Sequence, residues 1–245
     1  SPTDPASPTQ QRILDEIKQV EWYHSIPLSE GIVTPGAYDH RPLVKHYPIP
    51  EQLQGMRVLD AGTLDGFWAF EMERRGAREV VALDVATIAE LDLPPRARQQ
   101  ISAEILSKRT GAGFEIARRL KNSRVERVAL NLYDLSPERL GQFDFVLCSD
   151  LLCLLSDPVS ALQNLRRVTR GEAVFMDRFN PFLPKYQMLY HGADEGCLWW
   201  SYSLTALEKM IGDAGFSDVQ VTSTFRCAER GKRAWSSAAT FRARG

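Results

Sequence analysis

The sequence is poor in the features that would tie it to a membrane, a disulfide framework or a highly charged partner. Its 245 residues hold only four cysteines, Cys148, Cys153, Cys197 and Cys227, and none forms a Cys-x-x-Cys pair. A disulfide scaffold and a zinc cage are therefore excluded as organising devices, no metal is expected, and reduced thiols in the cytoplasm fit best. No run approaches the roughly 20 apolar residues of a membrane helix. The opening Ser1-Pro-Thr-Asp-Pro-Ala-Ser-Pro8 is polar and unlike a secretory leader. A charge surplus is also missing: 30 Lys and Arg face 31 Asp and Glu, a formal net charge of −1. Bulk charge gives no attraction to nucleic-acid phosphate.

That near-zero charge is a cancellation. Residues 1–40 carry six acidic and two basic residues, whereas 96–127 carry nine basic against three acidic and 225–245 six against one. A local phosphate-facing patch stays open, although 96–127 offers only Phe114 as a stacking aromatic beside its charge.

What is present is an ordinary globular composition, 44% apolar and 25% charged. Residues 1–9 read as disordered. Residues 10–23 have helical spacing with Thr9 as cap, and 24–50 form a Pro-rich arm. From residue 56, strands alternate with helices. Strands are expected at 56–60, 79–84, 127–132, 143–148, 172–177, 219–222 and 234–242. Helices are expected at 66–76, 96–122 with a Gly break, 157–168 and 204–214, and a loop-rich insert at 178–202. This predicts an α/β fold: a Rossmann-like, mostly parallel sheet with helices on both faces. Two parts are expected, an arm over 1–50 and a main domain over 51–245 whose insert caps the substrate.

The sharpest local feature is Asp60-Ala-Gly62-Thr63-Leu-Asp65-Gly66, between the first strand and the first helix. A Gly-rich turn there lets a ligand approach the backbone and the helix N–H groups. Asp84, followed by Val85, closes the second strand 24 residues after Asp60, where a carboxylate can accept from both ribose hydroxyls. The dinucleotide pattern G-x-G-x-x-G is absent, and Asp60 and Asp65 would repel a pyrophosphate. A cofactor with a cationic centre and an amino-acid tail, S-adenosylmethionine, suits the turn better.

Residues 56–223 resemble the class I S-adenosylmethionine-dependent methyltransferases. Asp60-x-Gly62-x-x-x-Gly66 is similar to that family's first motif and Leu83-Asp84 to its ribose motif. The resemblance implies a seven-stranded sheet with an antiparallel last strand. It implies adenine contacts from Tyr133 and Asp134, and places Cys148-Ser149-Asp150 near the methyl group, with Ser149 on the cofactor. A narrower resemblance, to the tRNA wobble-uridine (5-oxyacetic acid pathway) methyltransferase-like group, rests on the arm Trp22-Tyr-His24 to Gly36. It rests also on Asp65-Gly-Phe67, Tyr133-Asp-Leu-x-Pro137, Gly141-x-Phe-Asp144, Asp157-Pro158, Trp199-Trp200 and Ala214-Gly-Phe216. The tRNA enzymes of that group carry a Tyr-His pair after the fourth strand, whose Tyr helps to hold a carboxylated donor. Cys153-Leu154 stands there in this chain, and only Lys232-Arg233 offers replacement charge, so the ordinary methyl donor is expected.

Methyl transfer needs orientation and, for a protonated acceptor, a base. The base candidates are His24, His191 and Asp150, with Asp177 as a further positioning group. Tyr23, Phe179, Tyr186, Tyr190, Trp199 and Trp200 are candidates for the substrate wall, since aromatic faces also attract a sulfonium. The expected activity is methyl transfer to a small molecule, with tRNA as the less favoured partner and no membrane. A tRNA wobble-uridine-type methyltransferase is the alternative, and a cofactor-binding partner protein without turnover is a third reading. The acceptor atom and the oligomeric state stay open.

Overall fold

Alternating apolar runs and glycine-closed amphipathic segments resolve into a parallel sheet clad with helices on both faces. The computed structural model describes residues 7–192, 194 and 196–245. In chain order the elements are α1 (Pro8–Ile17), β1 (Arg57–Ala61), α2 (Phe67–Arg74), β2 (Glu79–Asp84), α3 (Pro95–Gln99), α4 (Ala103–Leu106) and α5 (Ala112–Leu120). There follow β3 (Glu126–Ala129), α6 (Pro137–Leu140), β4 (Phe143–Ser149), α7 (Pro158–Val168), β5 (Thr169–Phe179), β6 (Met188–Tyr190), β7 (Trp200–Tyr202), α8 (Leu204–Asp213), β8 (Ser217–Cys227) and β9 (Ser236–Arg244). Short 3₁₀ segments punctuate the loops.

The main sheet runs β3-β2-β1-β4-β5-β9-β8, and its first five strands pair in parallel. β9 is antiparallel to both neighbours. This is the expected seven-stranded arrangement with an antiparallel last strand. The nine-stranded total comes from the insert, whose β6 and β7 form an antiparallel pair joined to the end of β5 through Phe179 and Tyr202. The parallel strands place the ends of β1, β2, β4 and β5 along one edge, where an open α/β sheet binds its ligands.

Several boundaries differ from expectation for local reasons. Residues 1–6 lie outside the described residues, but residues 8 and 9, expected to be disordered, belong to α1. Ser7, not Thr9, caps that helix. Its Oγ accepts from Gln10 N–H at 3.1 Å, while Gln10 Oε1 accepts from Ser7 N–H at 2.9 Å, a reciprocal capping box. The helix stops at Ile17 rather than 23, because Trp22 Nε1 folds back to donate to the Ile17 carbonyl at 2.8 Å. The long helix expected over 96–122 is three short ones, separated by the Ser102 cap and by Gly111. β3 ends two residues after Arg127 because Asn131 Oδ1 takes the Tyr133 N–H at 3.0 Å and starts a turn. β8 outruns the expected 219–222 because β9 pairs along most of its length.

Strand alternation splits the core into two layers. Leu59, Val81, Val146 and Phe175 face α7 and α8, while Val58, Val80, Phe145 and Leu147 face α2 and α5. The arm belongs to the second layer. Ile13, Ile17, Trp22, Ile26, Tyr47 and Ile49 are buried there with Trp68 and Phe70. Burying side chains of this size contributes roughly 1.5–3 kcal/mol each, which fixes the arm across the sheet edge.

Candidate active site

The glycine turn is shaped by two positions that require glycine. Gly62 has φ +79°, and a Cβ there would come within 2.9 Å of Leu151 Cδ2. Gly66, at φ +89°, starts α2, and its Cβ would lie 2.6 Å from the Phe114 ring. Asp60 is buried under the turn and accepts from Thr63 Oγ1 at 2.7 Å and from Ala69 N–H at 3.1 Å. Burial pushes its carboxyl up to about 7. Asp60, Thr63 and Gly66 therefore shape the turn from beneath.

Asp84 stands at the mouth of an apolar crevice of about 290 Å³. Its oxygens accept from Leu64 N–H and Val85 N–H, both at 2.8 Å, which leaves lone pairs for two further donors. Burial raises its carboxyl above the ordinary range. Gly62, Val85, Leu132 and Leu155 supply walls, and Asp92 and Asn131 add polar atoms. An apolar slot with a diol-sized carboxylate at one lip fits an adenosine. The remaining expected cofactor residues lie elsewhere. Tyr133 stands behind Asp92, its hydroxyl 2.5 Å from Asp92 Oδ2. Asp134 is exposed, and Ser149 Oγ pairs with Tyr47 Oη at 3.0 Å.

Asp65, expected on the cofactor, instead holds the arm. Its Oδ2 accepts from Tyr23 N–H at 2.6 Å and His24 N–H at 2.9 Å. His24 is thereby buried, 4% exposed, beside His40 and Phe67 at ring distances of 5.0 and 5.8 Å. Burial, with His40 beside it, depresses its basicity well below the ordinary imidazole range. It does not line the crevice. Tyr23 does, and its hydroxyl donates to Asp150 Oδ2 at 2.5 Å.

Asp150 joins the arm to the strand ends. Arg178 Nη2 donates to the same Oδ2 at 2.7 Å, and lies 3.3 Å from the Tyr23 hydroxyl. Asp150 has φ +54°, an unusual conformation for aspartate that recurs at functional positions. Among the described residues, Asp150 Oδ1 and Arg178 Nε are buried without a hydrogen-bond partner. So are the nearby His24 Nδ1, His40 Nδ1 and Trp68 Nε1. Next to them Asp177 is fully buried and accepts backbone N–H groups from Leu152, Cys153 and Arg178. Burial and the Asp150 charge push it up to about 7. Ligand-type atoms of Asp150, Cys153 and Asp177 lie within 4.8 Å of one another. Arg178 neutralises Asp150 and backbone amides occupy Asp177, so this grouping works as a hydrogen-bond network.

A second cavity, of about 480 Å³, is lined by Arg178, Phe179, Asn180, Trp200 and Trp235, and the Tyr23–Asp150–Arg178 hydrogen bonds form a partition that links it to the crevice. Of the expected substrate wall, Phe179 and Trp200 are here and Tyr23 is at the partition. Trp199 braces the insert against the crevice rim, donating from Nε1 to the Asp92 carbonyl at 2.6 Å. Tyr186 and Tyr190 are 65% and 60% exposed and line neither cavity. His191 Nε2 is 2.7 Å from Ser201 Oγ across the β6–β7 pair, away from Asp150. Residues 193 and 195 of the insert lie outside the described residues. His40, Tyr47, Asp92, Asn131 and Arg178 were not singled out by sequence. Only Asn131, just before the motif-like Leu132-Tyr-Asp134, carried a local signal.

Seven of the nine cations in the basic stretch 96–127 are exposed. Arg98 donates to the carbonyls of Ala89 and Leu91, Arg127 to Val85, and Arg118 and Arg119 pair with Glu115 and Glu16. Lys232 pairs with Glu229 at 2.6 Å. Among the described residues no helix is long and apolar enough to cross a membrane.

The strand order, the glycine turn and the acidic end of β2 together define the class I methyltransferase fold. A family model described as "Methyltransferase domain" matches residues 40–221, and the chain belongs to that family. The magnesium-protoporphyrin O-methyltransferase of Rhodobacter capsulatus is 31% identical over 133 residues, 52% of this chain and 47% of that protein. The tRNA U34 carboxymethyltransferase of Campylobacter hominis is 28% identical over 147 residues, 60% of this chain and 41% of that protein. The matches thus span less than half the length of these curated relatives. Among solved structures, the N-terminal domain of EvdMO1, crystallised in the presence of SAH and D-fucose, has a TM-score of 0.62 at 16% identity and 99% coverage of both chains. The Burkholderia thailandensis 1,6-didemethyltoxoflavin-N1-methyltransferase has a TM-score of 0.52 at 17% identity, covering 78% of this chain and 71% of that one. At these identities the likeness is one of fold.

Proposed function

We propose that this chain is an S-adenosylmethionine-dependent methyltransferase acting on a small-molecule acceptor. One observation carries the reading: the hydrogen-bonded trio Tyr23, Asp150 and Arg178 links two cavities of different chemistry, with Tyr23 lining one and Arg178 the other. The crevice at Asp84 fits the donor nucleoside, and the aromatic cavity at Arg178 fits the acceptor. The bound donor would supply an activated methyl on sulfur; the protein aligns the acceptor and excludes water. Asp84 would hold the ribose, and the Gly62 backbone would lie against the amino-acid tail. His24 anchors the arm and His191 braces the hairpin. Phe179 and Trp200 are the substrate-facing aromatics.

Small acceptors are named for several similar proteins, a porphyrin and a toxoflavin precursor among them. The ion pairs of Arg118 with Glu115 and Arg119 with Glu16 lower the local charge that RNA would meet. The described cysteines are unpaired, Cys148, Cys153 and Cys227 in the interior, which suits the cytoplasm. The test is calorimetry with S-adenosylhomocysteine (SAH), followed by transfer of labelled methyl into a fractionated cell extract. Binding, with label in the small-molecule fraction, is expected. Absence of SAH binding would overturn the methyltransferase reading, and label confined to RNA would overturn the acceptor class.

A further inference from the structure

We propose that the acceptor presents a hydroxyl group between Asp150 Oδ1 and Arg178 Nε, with Asp150 taking its proton as an oxygen is methylated. The inference deepens the methyltransferase reading and rests on it. Its starting point is an ion pair made by one prong only. A fork-to-fork pair between carboxylate and guanidinium uses both carboxylate oxygens. Here Arg178 Nη2 and the Tyr23 hydroxyl both converge on Asp150 Oδ2. Among the described residues, Oδ1 and Nε are left buried with no hydrogen-bond partner. Each such orphan costs about 1–3 kcal/mol, and Asp150 itself has a left-handed φ of +54°.

The two orphans have opposite needs. Oδ1 requires a donor and Nε–H requires an acceptor, and one C–O–H group satisfies both. A carboxylate acceptor has no proton for Oδ1 and would be repelled by it. An ammonium has no lone pair for Nε–H and would be repelled by Arg178. Both atoms are closed to solvent in this structure, so the hydroxyl enters from the cavity that Arg178 and Phe179 line as side chains there shift, and Tyr23 lies on the donor crevice. In the transfer the oxygen forms its bond to the methyl carbon as the S–CH₃ bond breaks. That bond's electron pair stays on sulfur, and the hydroxyl proton passes to Asp150 Oδ1. Arg178 then keeps the pair of carboxyl and new ether oriented. Because Asp150 Oδ2 stays tied to Tyr23 and Arg178, Oδ1 is the free basic position.

The test uses three ring compounds that differ only at the polar end: benzyl alcohol, benzoate and benzylamine. Each is titrated by calorimetry into the full chain saturated with SAH. Benzyl alcohol should bind about tenfold or more tightly than either ion, the worth of a hydrogen bond to a charged group. In Asp150→Asn the benzoate penalty should shrink, because the repelling charge is gone while Arg178 remains. In Arg178→Gln the benzylamine penalty should shrink instead. The thermal midpoint of each variant checks folding, and the wild-type ranking stands without them. Equal or tighter binding of benzoate or benzylamine, or no binding of the alcohol, would overturn the proposal. If SAH binds and the ranking fails, only this inference falls. If SAH does not bind, the methyltransferase reading falls with it.

Discussion

The backbone N–H of Tyr23 lies 2.6 Å from Asp65 Oδ2, so that one carboxylate of the glycine turn carries the arm across the site. The same oxygen takes the His24 N–H. Position of the arm and shape of the cofactor turn are therefore one mechanical unit. Asp65→Ala should cost about 2 kcal/mol, given two charge-assisted bonds to a mostly buried group. Hydrogen exchange at the Tyr23 and His24 amides should accelerate sharply while the β1 and β4 amides stay protected. Unchanged exchange in the arm would refute this anchoring.

Asp84 carries a different load. Its carboxylate has capacity for two more donors after Leu64 and Val85. Asp84→Ala is expected to weaken SAH binding by about 10–100-fold, from the loss of one or two bonds to a charged group. Calorimetry reads this directly. Wild-type affinity would place the ribose elsewhere.

Trp199 reaches the crevice through a carbonyl rather than through the ligand. Trp199→Phe keeps an aromatic ring and removes the donor. Cofactor affinity should fall by several-fold, consistent with loss of one neutral hydrogen bond of about 1 kcal/mol. A change in acceptor range at constant SAH affinity would contradict this role.

Asp60 and Asp177 are both pushed up to about 7, chiefly by burial. A carboxyl of this kind holds its proton longer in the folded chain than in the unfolded one. Between about pH 4 and 7 the folded state thus binds more protons, and stability falls as pH rises through that window, then levels. Chemical denaturation from pH 4.5 to 8 should show this slope on top of the contributions of other groups. Asp60→Asn should make it shallower, and an unchanged slope would mean that Asp60 is ionised throughout.

Of the nine cations in 96–127, Arg98 and Arg127 bond backbone carbonyls and Arg118 and Arg119 pair with glutamates. Bulk tRNA in a filter-binding series is accordingly expected to show no salt-sensitive binding at low ionic strength. A steep salt slope would restore RNA as the acceptor.

The nucleotide end of the site was legible because its determinants are local. Glycines at 62 and 66, and an acidic residue closing the next strand, sit within 25 residues and belong to one βαβ unit. The acceptor end was not. Tyr23, Asp150 and Arg178 are separated by 127 and 28 positions, and only strand order brings them together. Asp65 misled for the opposite reason. Its place in the motif suggested a ligand contact, yet its oxygen meets the arm, whose path no periodicity describes. His24 was conspicuous as a lone titratable group, whereas the folded arm turns it inward against His40. The strands were readable from alternation, while α1 and α3–α5 depended on caps and turn bonds that a hydrophobic period does not register.

β9 is the last strand in sequence and an interior strand in space. Until residues 236–244 have been synthesised, the eleven residues of β5 have no partner on that side, and β8 has none at all. During synthesis the chain therefore carries an unpaired strand edge that a neighbouring strand could occupy. Its vulnerability to misassembly ends abruptly, when nine residues slot between two waiting strands and the sheet closes.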